Sequence, residues 1–193
     1  MLKAVIFDMD GTLTVPYINW QNLRAQIACP PNKNIIDHIN SLPIERAQHA
    51  NNILLSTERE AAEQAAINEG ATELVHTLKD RGLKLALVTN NHREAMHIVL
   101  QRYGLTFDTA LSRDDGTLKP APDLIIKALN QLNAHPHEAI GIGDSQYDIL
   151  ACEAAGVQCI YLTHGSPKLD HTPSITALSD MISTLNKLEK LAT

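Results

Sequence analysis

The sequence contains few cysteines, and none of them is arranged in a recognisable pair. Its 193 residues include three, Cys29, Cys152 and Cys159, and no two of them form a C-x-x-C motif. An odd number of cysteines without that spacing argues against a disulfide framework. We therefore expect reduced, buried thiols in a cytoplasmic protein.

Basic blocks and long hydrophobic runs are also absent. The formal net charge is −6 and the pI is about 5.8, which argues against binding to nucleic acid or to anionic membranes. No apolar run reaches the length that spans a bilayer, and the first residues lack the charged and then apolar pattern of an export signal. We therefore expect a soluble, cytoplasmic protein, and a monomer by default.

Apolar and charged residues are present in ordinary proportions, at 44% and 20% of the chain. A chain of 193 residues can form one domain, or one domain with a small insertion, and can bury a core without disulfides. The composition therefore predicts a globular protein. Its fold and function have to be inferred from the order of the sequence motifs.

The first apolar run ends in two carboxylates. Residues Ala4 to Phe7 predict a buried strand, and Asp8, Asp10 and Gly11 follow it directly. In open α/β sheets, ligands bind at the carboxyl ends of the strands. Asp and Gly are also common turn residues, so this segment alone leaves a simple turn as the alternative interpretation.

The rest of the chain divides into a helical segment and an alternating one. Residues 15–69 carry four short helical patterns and no strand, and the capping box Thr57–Glu60 predicts the start of the fourth helix. From Gly70 onwards, strand and helix patterns alternate, which indicates a parallel sheet covered on both faces. We predict an α/β fold with a Rossmann-like sheet formed by residues 1–14 and 70–193, and a helical insertion at 15–69.

Polar side chains follow several of the predicted strands and should meet at one edge of the sheet. They are Asp8, Thr89, Asn90, Lys119 and Asp144. Carboxylates in such proximity repel one another unless protons or a metal hold them, and oxygen ligands suit Mg²⁺. Lys119 would then act as a point charge on phosphoryl oxygens, and Thr89 and Asn90 would donate hydrogen bonds to the same oxygens.

These residue types suit phosphoryl transfer, which depends mainly on positioning and on neutralisation of charge. Asp8 can attack phosphorus to form an aspartyl-phosphate. Asp10 can protonate the leaving oxygen and later accept a proton from water.

At this point the motifs resemble those of the haloacid dehalogenase-like superfamily, and most closely its phosphoglycolate-phosphatase-like branch. The matching segments are Asp8-Met-Asp10-Gly11-Thr12-Leu13, Thr89-Asn90, Lys119 within Lys-Pro-Ala-Pro-Asp123, and Gly143-Asp144-Ser145-Gln-Tyr-Asp148. Four motifs in order, each at or just after a predicted strand end, are a specific signal.

The resemblance implies a role for each matched residue. Asp8 would be the nucleophile and a metal ligand, and Asp10 the acid/base, binding the metal through its carbonyl. Asp144 would be a further ligand, and Asp148 a ligand or a hydrogen-bonding partner around the metal. The implied catalytic residues are Asp8, Asp10, Thr89 and Lys119, and the implied phosphate-binding residues are Gly11, Thr89, Asn90 and Lys119.

The helical insertion resembles the small cap that closes over the site in this family; we call residues 15–69 the cap. Most charges on small helices are simply solvated, but a few could contact the substrate. The candidates are Arg24, Lys33, Arg46 and His49 in the cap, and Asn91, His92 and Arg113 beside the predicted crevice. Trp20, the only tryptophan, could line the substrate pocket, but we expect it to pack in the core of the cap.

Together these features predict a Mg²⁺-dependent phosphatase that acts on a small phosphorylated metabolite, of the phosphoglycolate or sugar phosphate type. Two alternatives remain open. A sugar-phosphate mutase of the same fold keeps both Asp8 and Asp10, and would return the phosphoryl group to sugar instead of water. A phosphate-dependent binding module without catalysis would have lost at least one catalytic residue, yet all are present.

Overall fold

A computed structural model describes residues 1–191 and contains a six-stranded sheet at its centre. The strands are β1 (Ala4–Phe7), β2 (Lys84–Val88), β3 (Thr109–Leu111), β4 (Ala139–Gly143), β5 (Gln158–Leu162) and β6 (Ser174–Ile175). Their order is β3-β2-β1-β4-β5-β6, and every neighbouring pair is parallel. The predicted Rossmann-like parallel sheet is therefore confirmed, with β1 at its middle.

Eight α-helices accompany the sheet in the described part of the chain. They are α1 (Trp20–Gln26), α2 (Ile35–Asn40), α3 (Ile44–Gln64), α4 (Ala71–Asp80), α5 (Arg93–Tyr103), α6 (Asp123–Leu132), α7 (Gln146–Ala154) and α8 (Met181–Leu191). None of them combines the length and the apolar character that crossing a membrane requires.

Both faces of the sheet are buried, because successive side chains of a strand point to opposite faces. In β1, Val5 and Phe7 join an apolar cluster with α4, α5 and α8, whereas Ala4 and Ile6 join a second cluster with α6 and α7. All four residues are at most 2% exposed. The short apolar run before Asp8 is thus a central strand, and burial on both sides holds its carboxyl end in place.

The cap has three helices, not the four that we predicted. Helix α3 runs without a break from Ile44 to Gln64, and the hydroxyl of Thr57 donates to the carbonyl of Ile53 at 2.9 Å within it. Thr57 therefore bonds back to its own helix and does not cap a new one, so the predicted capping box was wrong.

The cap leaves and rejoins the sheet domain beside the end of β1. The side-chain amide of Asn68 donates to the carbonyls of Thr12 at 2.8 Å, Thr14 at 3.2 Å and Gly11 at 3.3 Å. The backbone amide of Val15 donates to the carbonyl of Ala66 at 2.8 Å. Both connections to the cap are thus tied to the loop that carries the first acidic motif.

The last strand was not anticipated. In the sequence, the spacing of Ile175, Leu178, Ile182, Leu185 and Leu188 predicts an amphipathic closing helix. Ile175 belongs instead to β6, and α8 begins at Met181. A strand of two residues is too short to show the period-2 pattern by which strands are recognised.

Candidate active site

Three carboxylates meet at the carboxyl edge of the sheet. Phe7 of β1 pairs with Ile142 of β4, so Asp8 and the residues after β4 lie side by side. One oxygen each from Asp8, Asp144 and Asp148 can be chosen so that all three lie within 4.8 Å of one another. We call these three residues the acidic cluster.

Two glycines allow the loops that carry these acids to approach each other. Gly11 has a φ of +82°, and a Cβ on it would lie 2.1 Å from an Asp144 carboxylate oxygen. A Cβ on Gly143 would lie 2.3 Å from the Cβ of Asp148. Any larger residue at Gly11 or Gly143 would displace an acid of the cluster.

Lys119 is buried among these acids, with 3% of its surface exposed. Its Nζ donates to Oδ1 of Asp8 at 2.6 Å, to Oδ1 of Asp148 at 2.6 Å and to the carbonyl of Val88 at 2.9 Å. Burial disfavours the charged amine, but the two carboxylates outweigh it and raise the pKa of Lys119 above its usual value. The lysine is therefore a permanent cation in the site.

Crowding changes the acidity of the carboxyl groups. Burial, followed by the charge of Asp148, raises the pKa of Asp8 to about 7, even though Lys119 opposes this. Burial and the charge of Asp8 raise the pKa of Asp10 to about 7, and burial and the charge of Asp148 raise the pKa of Asp144 to about 6. Carboxylates this close are stabilised either by protons or by a further cation, and their oxygen donors suit a hard divalent metal ion.

Asp148 is engaged at both of its carboxylate oxygens. Oδ1 accepts from Lys119, and Oδ2 accepts from the hydroxyl of Ser145 at 2.5 Å and from its backbone amide at 3.1 Å. The bond from the Ser145 amide, together with the bond from the Asp148 amide to the Ser145 hydroxyl, caps the N-terminus of α7. Of the two roles that the resemblance implies for Asp148, this geometry favours the hydrogen-bonding partner.

The loop after β2 holds two other site residues in position. Asn91 donates from Nδ2 to Oδ2 of Asp10 at 2.6 Å, and its backbone amide donates to the hydroxyl of Thr89 at 3.1 Å. Asn90 donates from Nδ2 to the carbonyl of Lys119, and its Oδ1 accepts from the amide of Lys119, both at 2.9 Å. We expected Asn90 to donate to phosphoryl oxygens, but its side chain is bonded to the backbone that carries the lysine.

Glu58, an acid of the cap helix α3 that is 2% exposed, was not predicted as a site residue from the sequence. Arg113 donates to its Oε1 from Nη1, and Nδ1 of His92 lies 2.5 Å from its Oε2. His92 and Arg113 were candidates for substrate contacts, and both pair with Glu58 of the cap. Arg113 also lines the cavity described below, so a contact with the substrate stays a prediction for it. One signal in the sequence could have identified Glu58: it lies four residues after Leu54, on the buried face of α3.

A cavity of about 350 Å³ separates the acidic cluster from the cap. Its lining includes Asp8, Asp10, Thr89, Asn90, Asn91, Lys119, Asp144 and Asp148 at the sheet, and Tyr17, Ile18, Trp20, Arg24, Ile35, Ile36 and Leu54 in the cap. The predicted catalytic residues thus share one cavity with cap residues, most of them apolar.

The cap candidates are placed differently from one another. Arg24 lines the cavity, but its Nη1 donates to the carbonyls of Lys33 at 2.7 Å and Pro30 at 3.0 Å. Within the described chain, the side chains that line the cavity do not include Lys33, Arg46 or His49.

Trp20 also differs from the expectation. It is 46% exposed and lines the cavity, so the prediction that it packs in the core of the cap was wrong. The core of the cap is formed instead by smaller side chains, which include Leu23, Ile27, Ile39 and Leu54.

Comparison with known proteins agrees with the geometry. Residues 5–162 match the model of the family described as haloacid dehalogenase-like hydrolase. The chain is 42% identical over 182 residues to the pyrophosphatase PpaX of Halalkalibacterium halodurans, covering 81% of each chain. It is 32% identical over 162 residues to a haloacid dehalogenase-like hydrolase domain-containing protein of Arabidopsis thaliana, covering 78% of this chain and 66% of that protein.

Solved structures give the same result. The crystal structure of a haloacid dehalogenase-superfamily hydrolase from Ehrlichia chaffeensis superposes with a TM-score of 0.68 at 27% identity, and the match covers 97% of this chain and 98% of that one. The family match spans most of the chain and includes the end of β1, the loop after β2, Lys119 and the loop after β4. The chain therefore belongs to the haloacid dehalogenase-like hydrolases.

Proposed function

We propose that this protein is a Mg²⁺-dependent phosphatase that hydrolyses a small phosphomonoester through an aspartyl-phosphate on Asp8. The observation that carries the proposal is the position of Asp8. It lies at the carboxyl end of the central strand, faces the cavity, and accepts a hydrogen bond at Oδ1 from the buried Lys119. This leaves Oδ2 of Asp8 to act as the nucleophile.

The reaction has two steps in this proposal. In the first, Oδ2 of Asp8 forms a bond to phosphorus, the ester bond to the leaving group breaks, and Asp10 gives its proton to the leaving oxygen. In the second, water attacks phosphorus while Asp10 accepts a proton from it, and the bond to Asp8 breaks to release phosphate. Lys119 balances negative charge on the phosphoryl oxygens throughout.

Asp10 suits the acid/base role because its pKa is raised to about 7, mainly by burial and by the charge of Asp8. A carboxyl group with that pKa exists in both protonation states near neutral pH, as an acid that later acts as a base must. The hydrogen bond from Asn91 to Oδ2 of Asp10 fixes the direction of its side chain.

Mg²⁺ bound at this edge would neutralise charge as a phosphate dianion approaches the Asp8 carboxylate. Asp8 and Asp144 would hold it with their side chains and Asp10 with its carbonyl. Asp148, whose two oxygens already accept from Lys119 and Ser145, would orient its neighbours.

The size of the cavity supports a small substrate, of the phosphoglycolate or sugar phosphate type. The PpaX relative is named a pyrophosphatase, which adds pyrophosphate to the compounds that should be tested. Arg24 is the cap cation that lines the cavity, but its bonds to cap carbonyls reduce its availability to a second anionic group. We further propose that residues 15–69 act as the cap that selects the leaving group, in a cytoplasmic monomer.

Hydrolysis of p-nitrophenyl phosphate tests the proposal. We expect turnover with Mg²⁺, no turnover with EDTA, and a loss of at least about a thousandfold in Asp8→Asn because the nucleophile is removed. Asp80→Asn changes an exposed acid of α4 and serves as the matched control. Activity that survives Asp8→Asn would overturn the mechanism.

The sugar-phosphate mutase is the second candidate, because Asp10 is present and placed for acid/base chemistry in both reactions. Product analysis separates the two. Incubation with a phosphorylated sugar releases inorganic phosphate if water is the acceptor, and yields a phosphorylated isomer if the sugar is. Isomer formation without release of phosphate would assign the mutase.

A further inference from the structure

A buried cluster of polar side chains outside the acidic cluster joins the cap to the sheet domain. It consists of Glu58 on α3, His92 at the N-terminus of α5, and Arg113 in the turn after β3. The side chain of Glu58 is 2% exposed, that of His92 9% and that of Arg113 10%. We call these three residues the anchoring cluster.

We propose that Glu58 is a positioning residue: its ion pair with Arg113 seats the cap on the loop of residues 89–92 and so orients Asp10 and Lys119 for catalysis. This inference rests on the proposed phosphatase function for its kinetic consequence. The contacts that support it are independent of the substrate.

Among the described residues, the hydrogen-bond partners of the Glu58 carboxylate all lie outside the cap. Oε1 accepts from Nη1 of Arg113, while Oε2 lies 2.5 Å from Nδ1 of His92 and accepts from the backbone amide of His92 at 3.3 Å. The amide at the N-terminus of α5 also favours a nearby anion through the helix dipole. A carboxylate this deeply buried needs such partners, so the position of α3 is coupled to that of the loop.

Arg113 extends the coupling to the loop itself. Its Nη1 also donates to the carbonyl of Asn90 at 3.3 Å, and its backbone amide donates to the carbonyl of Asn91 at 3.0 Å. Together with the bond from His92 to Glu58, these contacts hold three consecutive residues, 90–92. The anchoring cluster therefore restrains the backbone of the loop from two sides.

The same loop residues hold the catalytic groups. The Asn90 side chain makes two hydrogen bonds to the backbone of Lys119, and Asn91 bonds the Asp10 carboxylate at 2.6 Å. A continuous set of contacts thus runs from Glu58 on the cap, through Arg113 and the loop, to the acid/base and to the phosphate-binding lysine. Small displacements of groups positioned in this way reduce turnover strongly.

Glu58 also lines the cavity, so it could instead contact the substrate directly. The two roles affect the kinetics differently. Loss of a substrate contact raises KM, whereas loss of positioning lowers kcat and leaves KM nearly unchanged.

The test compares Glu58→Gln with Glu63→Gln, which changes an exposed glutamate on the same helix. With Mg²⁺ and p-nitrophenyl phosphate, we expect Glu58→Gln to lower kcat by about tenfold to a hundredfold and to change KM by less than about twofold. We also expect faster hydrogen exchange at the amides of His92 and Arg113 by NMR or mass spectrometry. Glu63→Gln should match the wild type in both measurements.

A double variant controls for general loss of stability. Glu58→Gln leaves the largely buried Arg113 without a negatively charged partner, and Glu58→Gln/Arg113→Met removes both charges. We expect the double variant to recover most of the lost melting temperature but not kcat, because the loop is still unrestrained. Recovery of kcat together with stability would overturn the proposal, as would a raised KM at unchanged kcat.

The two proposals fail in different ways. If wild-type protein proves inactive in every assay, the phosphatase proposal fails, and hydrogen exchange alone decides the role of Glu58. Equal exchange at His92 and Arg113 in Glu58→Gln and Glu63→Gln would overturn the positioning role. Normal kcat in a folded Glu58→Gln protein would overturn it as well and leave the phosphatase proposal intact.

Discussion

At the residue scale, the buried position of Asp8 among other acids lowers the stability of the metal-free protein at neutral pH. Its folded-state pKa of about 7 lies above the ordinary value of 3.8, chiefly because of burial and the charge of Asp148. Between these two values the folded protein binds more protons than the unfolded chain, so this group makes the free energy of unfolding fall as pH rises through that range. A bound cation would reverse the effect.

Asp8→Asn should therefore stabilise the metal-free protein at pH 7.5. We expect the free energy of unfolding to rise on the order of 1–2 kcal/mol at pH 7.5 and by much less at pH 4.5, because the wild-type carboxyl is then mostly protonated. Urea unfolding in EDTA at both pH values measures this, with Asp80→Asn as the control. A gain of equal size at the two pH values would contradict the explanation.

Lys119, in contrast to Asp8, stabilises the folded protein, because its positive charge balances two buried carboxylates. Lys119→Met leaves Asp8 and Asp148 buried without their cation, so we expect a loss of about 3 kcal/mol or more in the metal-free protein at pH 7.5. We also expect kcat/KM to fall at least about a hundredfold. Unfolding and steady-state kinetics measure these effects, and the exposed Lys187→Met should leave both unchanged. A fully active Lys119→Met protein would contradict the role assigned here.

At the scale of elements, the contribution of the cap to substrate binding can be tested by substituting one cavity-lining side chain, Trp20. Trp20 is 46% exposed at the start of α1 and lines the cavity. Trp20→Ala should raise KM by about threefold to tenfold and change kcat by less than about twofold, because the indole lines the cap side of the cavity, where the proposed leaving group would lie.

Steady-state kinetics with p-nitrophenyl phosphate measures this change. Ile44→Ala is the control, since Ile44 lies in the cap, is 77% exposed and is not among the cavity-lining residues of the described chain. A fall in kcat with KM unchanged would place Trp20 in the positioning of the catalytic groups instead.

For the whole molecule, metal binding should be linked to pH through the raised pKa values of Asp8 and Asp144. Protons compete with the metal for these oxygens at low pH. We expect 10 mM Mg²⁺ to raise the melting temperature by several degrees at pH 7.5 and by about a degree or less at pH 5, by mass action on the folded state. Differential scanning calorimetry measures both shifts. Equal shifts at the two pH values, or in Asp8→Asn/Asp144→Asn, would contradict this linkage.

Much of the fold and the acidic cluster could be predicted because both depend on local patterns. Alternation of apolar strands and helices predicted the parallel sheet. The two-residue strand β6 was missed, and so was the continuity of the long helix α3. Thr57 illustrates why: its hydroxyl can cap a new helix or bond back to Ile53, and only packing of the cap selects between them.

The sequence by itself determined which residues meet at the carboxyl edge of the sheet. Asp8 and Asp144 each come within one residue of a buried parallel strand, and such strands end on a common edge. Only the tertiary structure decided the partners of the remaining polar groups. A buried charge pairs with whatever opposite charge the fold brings closest, and Arg113 meets Glu58 across 55 residues of sequence. Side chains that were candidates for substrate contacts thus hold the cap and the loop together.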